Sequence, residues 1–213
     1  MEKGRNTVDD IVRGDNGSRR PYIVTAVAVI IGGLIFLSPK ENNTNTTAAT
    51  AAATSTQIPI PDDQARFIAA NDAGRAAYKA GANDMAKGAA RPYRAQSLCR
   101  PAQIRNVQNW VGKVATLSSN GDGKGVLSVM IGNDVHVKTW NNSLSDIGDQ
   151  TLIEPTSALF RKAVSLHVGQ VIAFSGSFIP NQTDCVRESS MTLDGSMTRP
   201  EYIFRFLDVA ALQ

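Results

Sequence analysis

The chain has 213 residues, 42% of them hydrophobic and 19% charged, with a formal net charge of +3, which is ordinary for a folded protein able to bury one sizeable core. The charge is unevenly placed: residues 106–213 hold eight basic and ten acidic side chains, so the basic character belongs to the N-terminal half, and the C-terminal half lacks the cationic groove of a nucleic-acid binder. Only two histidines and two cysteines occur, with no His-x-x-His or Cys-x-x-Cys spacing, and this argues against metal chemistry.

Residues 22–38, "YIVTAVAVIIGGLIFLS", carry no charge and as a helix would span about 25 Å at ~1.5 Å per residue. The 21-residue head before them holds Lys3, Arg5, Arg13, Arg19 and Arg20, and the positive-inside rule places that head in the cytoplasm and the rest across the membrane. An uncleaved single-pass anchor is the reading the long head favours. A cleaved signal peptide is the alternative, with Ala-rich sites at 47–55. "SRRPYIV" at 18–24 is similar to a twin-arginine export motif, from which it departs by Pro21 and by the missing trailing Lys. Residues 39–61 are dominated by Thr, Asn and Ala and have nothing to bury, so a disordered tether is expected.

Residues 62–91 read as one amphipathic helix, with Asp62 or Asp63 placed to cap it and Pro92 forcing Arg91 out of it. Phe67, Ala70, Gly74, Tyr78, Ala82, Met85 and Ala89 form a stripe of mostly small residues, which calls for close packing. From residue 66 to 105 eight basic residues face two acids, a balance of +6. A basic helix can serve an anionic partner or simply be a solvated face.

The period then shortens. Residues 107–117, 125–131 and 134–140 read as three strands, the last two joined at Gly132-Asn133. Between the first two lies "SSNGDGKG". A phosphate loop requires Ser or Thr after its Gly-Lys, whereas Gly125 follows Lys124, and no calcium-loop pattern of acids is present, so the stretch reads as a turn. A helix at 156–169, capped by Thr156 or Ser157, precedes strands at 170–179 and 201–212.

Three strands, a helix and two strands is the order of an OB-fold, a five-stranded Greek-key barrel. "SLHVGQVIAFSGSF" (165–178) resembles the helix-to-fourth-strand segment of small exported OB-fold domains, including the transfer-RNA-anticodon-like group. The resemblance implies a mainly β barrel over residues 106–213, preceded by a helical segment at 62–105. It carries no activity, because OB-folds bind oligonucleotides, sugars, peptides and proteins alike.

No catalytic constellation is legible. "FSGSF" lacks the Gly-x-Ser-x-Gly elbow, His167 falls at a helix end, and the carboxylates are scattered over loops. No catalytic, metal or cofactor site is therefore expected. The expected function is a membrane-anchored binding module outside the cytoplasm whose partner is another envelope protein. A small-ligand or oligosaccharide module with an aromatic-lined pocket, and a single-strand nucleic-acid binder of a DNA-transfer apparatus, are the alternatives.

Two residue-level expectations follow. Cys99 and Cys185, both in the exported part, are expected to form a disulfide, with two buried thiols as the alternative. Alternation along the third strand sends His136, Lys138 and Trp140 outward and Val135, Val137 and Thr139 into the core. The candidate binding face is thus His136, Lys138 and Trp140, rimmed by Lys124 and Arg187. The alternative for Trp140 is that it packs under the N-terminal helix as core.

Overall fold

A proline starts the first helix and a glycine ends it. The computed structural model describes residues 58–99 and 105–212, so the expected head, membrane segment and most of the tether lie outside them. Helix α1 (Asp62–Ala80) follows Pro61 and has no side-chain cap. Asp62 and Asp63 sit inside the first turn instead, where the helix dipole favours acids, and Asp63 is turned to other use by accepting a hydrogen bond from the Trp110 indole at 2.9 Å.

The single long helix expected over 62–91 is three helices. Gly81 takes an extended conformation and breaks the chain, and Asn83 then caps α2 (Asp84–Gly88) by accepting from the Ala86 N–H at 2.9 Å. Helix α3 (Ala90–Cys99) contains Arg91 as well as Pro92, because a proline in the first turn gives up only an N–H that has no helical partner. The stripe holds as far as the break. Phe67 and Gly74 are buried, while Met85, beyond Gly81, is 89% exposed. Gly74 is where α1 meets α3: a Cβ there would lie 2.8 Å from the Cβ of Arg94.

The five long strands are β1 (Asn106–Ser119), β2 (Gly125–Gly132), β3 (Val135–Lys138), β4 (Val171–Phe178) and the C-terminal strand (Glu201–Ala211). A two-residue hairpin, β5 (Pro180–Asn181) with β6 (Cys185–Val186), precedes that strand, which is therefore β7. The barrel closes in the order β1-β2-β3-β7-β4, with β3 parallel to β7 and every other pair antiparallel. A closed five-stranded mixed barrel of this connectivity is consistent with an OB-like fold.

"SSNGDGKG" is a turn. Gly123 N–H donates to the Asn120 carbonyl at 3.0 Å, and the Asn120 side chain accepts from the N–H groups of Asp122 and Lys124. The next hairpin is displaced by one residue from the expected Gly132-Asn133: Asn133 and Asp134 hold the two central positions with φ of 45° and 57°, the left-handed pair of a tight hairpin turn. Helix α4 (Ala158–Val164) is shorter than expected and is capped by Ser157, which accepts from Phe160 N–H at 3.0 Å.

Period-2 alternation fills the interior with Leu127, Val129, Val135, Val137, Tyr202, Phe204 and Phe206. Helix α1 lies across one end. Its Phe67 ring meets Trp110, Phe178 and Tyr202 at centroid distances of 5.4, 4.9 and 5.0 Å, and Gln64 bonds both the N–H and the carbonyl of Val111. Helix α4 lies at the other end, with Phe160 against Gly125 and Lys162 paired with Asp208 at 2.6 Å. The Cys99–Cys185 disulfide is formed, Cα to Cα 5.4 Å, and ties the end of α3 to β6.

Candidate functional site

Helices α1 and α4 lie at the two ends of the barrel, and the expected face lies on its outer wall. On it the cross-strand registers align two rows. One is Lys113, Met130, His136 and Glu201; the other starts from Thr116, Ser128 and Lys138. Alternation in β3 is as expected: Val135, Val137 and Thr139 are fully buried, whereas His136, Lys138 and Trp140 are half-buried on the outside.

These outer groups are mutually engaged. Lys138 donates to Glu201 at 2.8 Å, and Ser189 donates to the same carboxylate oxygen at 2.8 Å. Burial alone would raise the Glu201 pKa, but those two donors outweigh it and hold the carboxyl below its ordinary value. Burial, joined by the charges of Arg199 and Lys138, lowers His136, with Glu201 opposing. Ser128 Oγ lies 3.4 Å from His136 Nδ1, and Glu201 accepts from Lys138 and Ser189 through the same oxygen, Oε2.

Past the end of β3 a second cluster forms around Asp149. Its carboxylate accepts from the Trp140 indole at 2.8 Å and from Arg187 at 2.7 and 3.0 Å, while Arg205 donates to the Asp149 and Gln150 carbonyls. Trp140 is therefore fastened at the rim. The tryptophan that packs under the N-terminal helix is Trp110, which is fully buried.

The segment between Trp140 and Asp149 is pinned by its neighbours in the chain and by the first turn. Asp146 accepts from Thr151 N–H, Thr151 hydroxyl and Leu152 N–H, Asn142 accepts from Ser145 N–H, and Ser143 bonds Asn120 and Asp122 of the first turn. On this fixed loop Leu144 and Ile147 are 80% and 74% exposed.

Of the expected face, the structure brings Trp140 and Arg187 together on Asp149 and sets His136 and Lys138 side by side along Glu201. Lys124 stands across the loop, paired with Glu154 at 2.6 Å, and its ammonium pKa is raised chiefly by that hydrogen bond. Asp149, Arg205, Leu144 and Ile147 are the members that sequence reasoning missed. For Arg205 a signal existed: alternation that buries Phe204 and Phe206 turns the residue between them outward. Nothing in "NNSLSDIGDQ" marks its two apolar residues as exposed, because their setting depends on hydrogen bonds to distant turns.

Among the described residues no group of three or more His, Cys, Asp or Glu is arranged to hold a metal ion. No protein-family model and no curated protein matches the chain.

Proposed function

We propose that this chain is a membrane-anchored, extracytoplasmic binding module of the OB-fold superfamily that acts without catalysis, its partner being another protein of the cell envelope. The observation that carries this reading is the loop at 141–150, held by hydrogen bonds to Thr151, Leu152 and the first turn yet presenting Leu144 and Ile147 to solvent beside a fastened Trp140. A loop already held in place lowers the cost of association, since little backbone freedom remains to be lost on docking. Trp and Arg are the residues most enriched at binding hot spots, and Arg187 stands on the same carboxylate as Trp140. The uncharged stretch at 22–38 supports the anchor, and the disulfide supports an oxidising compartment. The small-ligand alternative called for an aromatic-lined pocket; the cleft of about 280 Å³ beside α4 has Phe160 as its one aromatic wall.

Site-directed photocrosslinking of the full chain in its native membrane tests the proposal. A photoreactive residue in place of Leu144 should give one discrete adduct with an envelope protein. The same residue in place of Leu207, 67% exposed on β7, should not. Absence of an adduct at 144, or equal labelling at both positions, would refute the reading.

A further inference from the structure

Beside β5 lies a cavity of about 620 Å³, wide open to solvent and lined by Arg105, Pro180, Asn181, Gln182, Thr183 and Arg187. We infer that this cavity is a carboxylate-binding site that receives an acidic segment of the protein partner, an inference that rests on the binding-module reading.

The charge around the cavity is one-sided. Asn106 pairs with Ser177 and Ser177 with Arg205, so the start of β1, with Arg105 just before it, lies two strands from Arg205 at one level of the barrel wall. Arg105 and Arg187 line the cavity, Arg205 stands beside Arg187 on the Asp149 and Gln150 carbonyls, and Asp149 is the acid bonded to Arg187. The other acid close by, Asp184, is buried and committed to Arg91 at 2.6 Å. This local excess of cation stands on a barrel segment, residues 106–213, that is otherwise net acidic. An acidic partner is therefore attracted here more than by the barrel as a whole.

The donors are set in place beforehand. Asp149 engages NH1 of Arg187, which leaves Nε and NH2 as donors not spent on that carboxylate, and a planar guanidinium matches a carboxylate in a two-point fork. The opposite wall is fixed as well. Asn181 accepts from the N–H groups of Thr183 and Asp184 at 2.8 and 3.0 Å, and the disulfide holds Cys185 immediately after them. Ile147 is two residues from Asp149, so an apolar side chain lies within about 7 Å of chain from the Arg187 carboxylate partner. A segment that alternates acidic and apolar side chains fits this pairing of cationic cavity and apolar knob.

The test titrates the full chain, in detergent, with a fluorescent acetyl-Leu-Glu-Leu-Glu-Leu-Glu peptide, alongside its all-Gln counterpart, inorganic phosphate and a dT oligonucleotide. The acidic peptide should bind at least tenfold more tightly than the Gln peptide and lose affinity between low and high salt. Arg105→Ala and Thr183→Glu should each weaken it at least tenfold; both positions are exposed, and Thr183→Glu places a competing carboxylate in the cavity. Equal binding of the two peptides, indifference to both variants, or displacement by phosphate or the oligonucleotide at lower concentration than by unlabelled acidic peptide overturns the assignment. The Leu144 crosslink separates the two failures. A retained crosslink with a failed titration removes the cavity alone, and a lost crosslink removes the binding-module reading and the cavity with it.

Discussion

The guanidinium of Arg94 lies buried against the carboxylate of Glu188, joining α3 to the segment that leads into β7, and neither Arg94 Nε nor Glu188 Oε2 has a further partner. Arg94 also donates to the Ser196 carbonyl at 2.5 Å and its hydroxyl at 3.0 Å, and stands 5.8 Å from the centre of the Tyr202 ring. Burial raises the Glu188 pKa and the Arg94 charge pulls it back. A lone charge left in this site is costly, whereas an apolar pair of similar volume is not. Glu188→Gln should therefore destabilise the protein by about 3–5 kcal/mol, and the double variant Arg94→Met/Glu188→Leu should recover most of it. Urea unfolding midpoints decide the matter; a double variant as unstable as the single one would show that the pair is needed for more than its own neutralisation.

The two tryptophans should respond differently to truncation. Trp110→Ala removes a fully buried ring against Phe67, Phe174 and Phe178 and should cost about 3–5 kcal/mol. Trp140→Ala leaves Asp149 bonded to Arg187 and should cost about 1–2 kcal/mol, while weakening partner capture. Thermal melts of the two variants, run in parallel, give the comparison; equal losses would contradict the placement of Trp140 at the rim.

Acid should weaken the fold through His136. Its folded pKa lies below the ordinary 6.5, so the unfolded chain takes up the proton first. The stability contributed by the neutral ring is complete above pH ~6.5 and is lost as pH falls through the folded value. Melting temperature should drop on acidification below that pH more steeply in the native protein than in His136→Gln. Parallel pH profiles would exclude the effect.

Loss of the disulfide should matter because it closes a long loop, 86 residues apart in sequence. Cys99→Ser with Cys185→Ser should lower stability by about 2–5 kcal/mol, and the intact protein should show no alkylatable thiol before reduction. Two alkylated cysteines in unreduced protein would contradict the bond.

What could be read in advance follows from the range of the forces involved. The strand faces were legible because alternation is local, and so were the first turn, set by Asn120 and Gly123, and the α4 cap, set by Ser157. The break at Gly81 was not, since a glycine in a helical run is compatible with continuing it, and the choice rests on α3 finding its place over Gly74. The burial of both Val107 and Trp110 also escaped the pattern. Three residues apart, they share the interior only because Asn109 takes φ 54° at a register shift between β1 and β4. The rim cluster depends on Asp149, Arg187 and Arg205 meeting from three segments, and no spacing along the chain encodes that meeting.

The position of α1 has a consequence for the order of events during synthesis. Among the described elements the helix emerges first, but several of its partners are among the last residues made: Phe178 and Tyr202 for Phe67, the Tyr202 hydroxyl for Asn71 at 2.5 Å, the Thr198 carbonyl for Arg75, and Asp194 for Tyr78. At ~5–20 residues per second, roughly 7–27 s separate Phe67 from Tyr202 at the ribosome. For that interval the helix can already meet α3 through Gly74 and β1 through Trp110 and Val111, while the side of Phe67 that Phe178 and Tyr202 cover stays open. Closure waits for β7, and a chain truncated before Tyr202 lacks both the strand that joins β3 to β4 and the ring that seals Phe67 and Asn71 over the core.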